Sequence, residues 1–116
     1  MKTRKLTPKE IALFKKNFEC LKFQNDVDIV YESQVPTAGF ILLQGQINLL
    51  KKNKIQGSIP PHTLIGVHQL IHNAPMKNGL RICSDSEVIV LHKSEIMQEL
   101  DKKYSEISAL IKEIVE

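Results

Sequence analysis

The hydrophobic rhythm of the chain changes twice. Ile11, Phe14 and Phe18 recur at steps of three and four, which places them on one face of a helix. Thr7-Pro8-Lys9-Glu10 marks its start: Thr7 can cap, Pro8 suits the first helical position, and Glu10 completes a capping box. This helix is expected to end between Asn17 and Cys20. From Val27 to Leu91 the period becomes two. Val27, Ile29 and Tyr31 alternate with polar neighbours, as do Ile47 and Leu49, which predicts strands with one buried face. The unbroken run from Phe40 to Leu43 predicts a strand covered on both faces. Lys51 to Lys54 reads as a tight turn and Ile55 to Ile59 as the strand that pairs back. Pro60-Pro61 closes that strand, because proline brings no N–H to a ladder. Arg81-Ile82-Cys83 and Val88 to Leu91 are two more strands, with Ser84-Asp85-Ser86 turning between them. Many short strands at even spacing predict a roll or a sandwich.

Helical periodicity returns after Ser94-Glu95, with Ser94 as the expected cap. Ile96, Leu100, Tyr104, Ile107, Ile111 and Ile114 are its apolar positions. From Leu100 onward they step by four, three, four and three, the rhythm of a two-stranded coiled coil. A single helix over 94–116 would be roughly 30 Å long, more than a small roll can cover. Leu100, Tyr104, Ile107, Ile111 and Ile114 are therefore expected to meet a second copy or another protein. The predicted organisation is one domain over 1–116. It has a helical segment at 1–20, a β-roll at 27–91 and a C-terminal helix at 94–116.

Composition narrows this picture. With 42% hydrophobic and 25% charged residues, the chain has the balance of one folded core rather than a disordered segment. Its net charge of +3 is too small and too dispersed for a nucleic-acid footprint, and no helix-turn-helix pattern is present. Lys2, Arg4 and Lys5 read as a solvated terminus, and Lys51, Lys52 and Lys54 as a solvated turn. No apolar run approaches the roughly 20 residues that cross a bilayer. No apolar segment follows the basic start Met1 to Lys5, so a cytoplasmic protein is expected. Cys20 and Cys83 are then expected to be reduced, mostly buried thiols.

Several short stretches recur in a meaningful order. Gly39-Phe40-Ile41-Leu42 is followed by Gly45, then Leu64-Ile65-Gly66, Leu70-Ile71, Pro75, and finally Val88 to Leu91 with Lys93-Ser94. The ordered set resembles the cyclic-nucleotide-binding domain family, the β-roll of catabolite-activator-type regulators, over Thr7 to Ile111. The resemblance implies a mainly β fold with flanking helices: a double-stranded jelly roll, a ligand cassette at 64–76 and a long C-terminal helix. In the family's cassette a glycine admits the backbone to the ligand and a short helix offers its N–H groups. A glutamate after the glycine binds ribose, and an arginine after the proline forks onto the cyclic phosphate. Here Val67 follows Gly66 and Met76 follows Pro75. Each missing charged hydrogen bond is worth about 1.5–3 kcal/mol. Cyclic AMP is therefore not expected to bind in the usual way. A ligand, if one is used, would lie against Gly66, Val67, His68, Met76 and Lys77, with Lys77 or Arg81 as the replacement cation.

The function expected is a non-enzymatic regulatory or scaffold domain with no cofactor and no metal. It would act by protein contact or as a homodimer through its last helix. Two alternatives remain open at this point. One is a sensor for a cyclic nucleotide, cyclic dinucleotide or other small anion, with altered specificity. The other is a cupin-like metal enzyme using His62, His68 and His72. His68 and His72 share a helix face, a spacing that can hold a metal, but no carboxylate accompanies them and there is no His-x-His strand. Cys83 and His92 suggest a thiol nucleophile only weakly, because no acid is placed to orient the histidine.

Overall fold

A computed structural model describes residues 3–102 and 105–115. The first helix, α1, spans Pro8–Asn17, and its start is the expected capping box. The Thr7 hydroxyl accepts from the Glu10 N–H at 3.2 Å, and the Glu10 carboxylate accepts from the Thr7 N–H at 2.9 Å. Ile11, Phe14 and Phe18 are buried on its inner side.

Among the described residues, nine antiparallel strands make two sheets. One has the order β1 (Thr3–Lys5), β7 (Thr63–Ile65), β4 (Ala38–Gln44), β9 (Ser86–His92), β2 (Glu19–Phe23). The other has the order β3 (Val27–Val30), β8 (Gly79–Ile82), β5 (Ile47–Lys51), β6 (Lys54–Ile59). Both Lys52 and Asn53 have positive φ, so the β5–β6 hairpin closes through a two-residue turn of the kind that matches strand twist.

β4 explains the layering. It is buried on both faces, as its apolar run predicts. Phe40 and Leu42 point into the roll with Ile47, Leu80, Ile82, Val88 and Val90. Ile41 points the other way, with Leu64, Ile89 and Leu91, into a second apolar layer under the helices. The molecule is thus a four-stranded sheet, a dry interior, a five-stranded sheet, a second apolar layer and then the helices: α1, α2 (Val67–Ile71), α3 (Lys93–Leu100) and α4 (Glu106–Val115).

Several expectations need correction. First, β1 and β2 were not anticipated. Both are edge strands, each paired on one side only, and their residues are largely exposed, so they carry no alternation. Second, Val27 and Tyr31 are exposed and Val30 is the buried residue of β3, because a bulge between Asp28 and Val30 shifts the register against β8. Third, His92 rather than Ser94 stands at the start of α3, and Cys20 is exposed rather than buried.

The fourth correction concerns the C-terminal helix, which is two helices and not one. Glu99 accepts from the Lys102 ammonium at 2.8 Å and from the Ser105 hydroxyl at 2.9 Å. The same hydroxyl accepts from the Ser108 N–H at 3.1 Å, so Ser105 caps α4 and fixes the break. Ile107 and Ile111 are 2% and 0% exposed, packed in the layer beneath the helices, with Leu100 and Ile114 partly buried against it. The coiled-coil rhythm is therefore taken up within the chain; Tyr104 lies outside the described residues.

Candidate functional site

The cassette begins where β7 ends. Gly66 has φ +94, a left-handed conformation that lets the chain leave β7 and enter α2 beneath β4. A Cβ at Gly66 would also lie 3.3 Å from the Ala38 carbonyl oxygen. The Leu70 N–H to Gly66 carbonyl bond, 2.9 Å, closes the first turn. Val67 is 1% exposed and packs with the helices, its Cγ2 set against Gly39. The position from which the family's glutamate would reach a ribose is thus part of the packing between α2 and β4.

Met76 is fixed from both sides by backbone bonds. Its N–H donates to the Gln34 carbonyl and its carbonyl accepts from the Ser33 N–H, each at 2.8 Å. Its side chain, 1% exposed, enters the roll interior among Phe40, Leu80 and their neighbours. Leu42, Ile47, Leu80, Ile82 and Val88 around it are 0% exposed, so no water-sized void touches them. Met76 packs there in a hydrophobic cluster with Phe40, Leu42, Ile47, Leu80 and their neighbours. An ionised phosphate placed there would lose its hydration without gaining a partner.

Neither replacement cation reaches that space. Lys77 is exposed, and its carbonyl accepts from the Lys51 ammonium at 3.5 Å. Arg81 lies on the outer face of its sheet and forks onto Asp28, at 2.6 and 3.4 Å. That pairing holds its guanidinium still more firmly in the charged form.

The rings of His68 and His72 lie against each other at a tilt of 46°, with centroids 4.4 Å apart. His72 Nε2 lies 2.8 Å from the Val115 carbonyl oxygen, so this face of α2 meets the end of α4. His62 sits in the turn before β7 and does not join them. Among the described residues no three His, Cys, Asp or Glu side chains come together in a set that could hold a metal. Cys83 follows β8 and His92 ends β9, in different sheets. Burial raises the pKa of both thiols, helped by Glu87 at Cys20 and by Asp26 at Cys83, which works against a reactive thiolate.

A cavity of about 220 Å³ does lie beside Gly66, Val67 and His68, bounded by Arg4, Glu113 and Ile114. It was not legible in the sequence, where Arg4 read as a solvated residue. Arg4 instead reaches Glu113 at 2.9 Å and Glu10 at 3.3 Å. Glu113 above all, then Glu10, raises the pKa of that guanidinium.

No protein-family model and no curated protein sequence matches this chain. Solved structures do match it. A protein of a cyclic-GMP-dependent signalling pathway in bacterial phytopathogenesis aligns over 94% of this chain and 89% of its own, with 20% identity and a TM-score of 0.76. The cyclic nucleotide-binding-like protein of Brucella abortus aligns over 84% and 87%, with 20% identity and a TM-score of 0.63. The catabolite activator protein of Thermus thermophilus aligns over 95% of this chain but 52% of its own, with 16% identity and a TM-score of 0.68. The chain thus spans about half of that regulator. The fold is that of a cyclic-nucleotide-binding-like domain, as the motif order implied. Among the described residues no helix is long and apolar enough to cross a membrane.

Proposed function

We propose that this chain is a non-enzymatic regulatory domain that keeps the β-roll as a scaffold and works through protein contact, without closing on a cyclic nucleotide. Met76 carries the proposal. It stands where the family's phosphate-binding arginine is expected, and its side chain helps to fill an apolar interior. The cavity beside Gly66 lends no weight to an altered-specificity sensor, because Arg4 there is already neutralised by two carboxylates. Free thiols at Cys20 and Cys83 suit a reducing compartment, in line with a cytoplasmic location.

Isothermal titration calorimetry of the full chain with cyclic AMP, cyclic GMP and cyclic di-GMP tests this. The expected result is no saturable heat up to about 1 mM ligand, the concentration scale of a binding energy near −4 kcal/mol. One-to-one binding of any of the three in the micromolar range would overturn the proposal.

A further inference from the structure

α1 and α4 lie side by side and run antiparallel. Arg4 bridges Glu10 in the first turn of α1 and Glu113 in the last turn of α4, while Leu13 and Asn17 of α1 face the start of α4 near Glu106. Between the two helices runs an open groove of about 550 Å³. Its floor is Ala12 and Leu13 on one side, Ala109 and Leu110 on the other. Its walls differ in charge: α1 carries Lys9 and Lys16, with Glu10 held by Arg4, and α4 carries Glu106 and Glu113, the latter also paired with Arg4. Lys9, Lys16 and Glu106 have no ion-pair partner among the described residues.

The two walls are matched in length. Lys9 and Lys16 are seven residues apart, as are Glu106 and Glu113, so each pair spans about 10.5 Å along its helix. We propose that this groove is the contact between two copies of the chain, with a twofold axis running along it. Rotation about that axis lays each basic wall on the partner's acidic wall. Lys9 then meets the partner's Glu113 and Lys16 meets the partner's Glu106, while the two apolar floors face each other across the axis. An axis across the groove would stack lysine on lysine, so the charges choose the axis as well as the partner. Two ten-residue helices side by side offer about 15 by 20 Å, roughly 300 Å² per copy. That is well below a standard interface, so the dimer is weak and sensitive to salt.

The inference rests on the reading of the chain as a protein-contact domain, and sedimentation equilibrium of the full chain tests it separately from ligand binding. Over about 20 µM to 2 mM protein, which brackets a dissociation constant of some hundreds of micromolar, the mean mass should rise from the 13.2 kDa of one chain towards twice that. The rise should shrink as salt increases from about 0.05 to 0.5 M. Lys16→Glu and Glu106→Lys, both at exposed positions, should each weaken association at least tenfold while leaving circular dichroism unchanged. Mixing the two variants should restore it, because each then presents the wall the other needs. A mass that stays at 13.2 kDa throughout overturns the dimer. A dimer indifferent to both substitutions overturns the groove as its site. A cyclic nucleotide bound in calorimetry would overturn the protein-contact function and leave these results standing.

Discussion

Val67 occupies the room that Gly39 leaves. A Cβ on Gly39 would lie 2.4 Å from Val67 Cγ2, and a valine in a helix has essentially one rotamer to offer. The residue that replaces a ribose contact is therefore the one that seats α2 on β4. Gly39→Ala should destabilise the chain by about 1–3 kcal/mol through overpacking. In Gly39→Ala/Val67→Ala the clash is gone, so the double variant should cost less than the sum of the singles by at least about 0.5 kcal/mol. Urea melts of the four proteins measure this, and strict additivity would refute the packing role. The residue scale is also where the sequence was most legible. Gly66 and Pro75 shape the backbone locally, and the absence of charge at Val67 and Met76 can be read directly. That these two side chains enter different apolar layers could not be read, because it depends on which face of β4 each one meets.

At the scale of elements, legibility follows how strongly each element announces itself. α1 has a capping box and a clean apolar stripe, and its start was found to the residue. β1 and β2 have neither. The last helix shows a different failure. Its apolar rhythm is genuine, but the break is set by Glu99, Ser105 and Ser108, three polar residues that do not interrupt the heptad. Glu99 also gives this junction a pH response. Hydrogen bonds from Lys102 and then Ser105 hold its carboxyl below the usual carboxylate range, against the opposing effect of burial. A depressed folded value means that stability is gained above the ordinary glutamate pKa of about 4.3 and lost as pH falls through the lower folded value. Glu99→Gln should therefore lower stability near pH 7 by about 0.5–1.5 kcal/mol, the net worth of a hydrogen bond. The two proteins should converge as the pH falls below that of the folded carboxyl. Chemical melts across a pH series read the difference directly; a gap of constant size at every pH would show that the charge of Glu99 is irrelevant to the junction.

At the scale of the whole molecule, the two apolar layers divide the work. The inner layer joins the sheets and includes Met76; the outer one fastens the helices and takes up Ile107 and Ile111. Between the charged walls of α1 and α4 lies an apolar strip of Ala12, Leu13, Ala109 and Leu110, which the coiled-coil rhythm did not reveal. Arg4, which the sequence offered only as one more basic residue, joins β1, α1 and α4 at one corner. Its bond to Glu113 links residues 109 positions apart. A fold whose ends are clasped in this way does not depend on the order in which its chain is read. The ends could be joined by a linker of about six glycine and serine residues, on the order of 13 Å of reach. The chain could then be reopened between Lys52 and Asn53, at the exposed tip of the β5–β6 hairpin. Such a circular permutant should keep the parent's circular dichroism and melt cooperatively. A permutant that loses its cooperative transition would show the clasp to be incidental. If it folds, the domain can be set as a cassette inside a loop of an unrelated protein, entering and leaving by the same door.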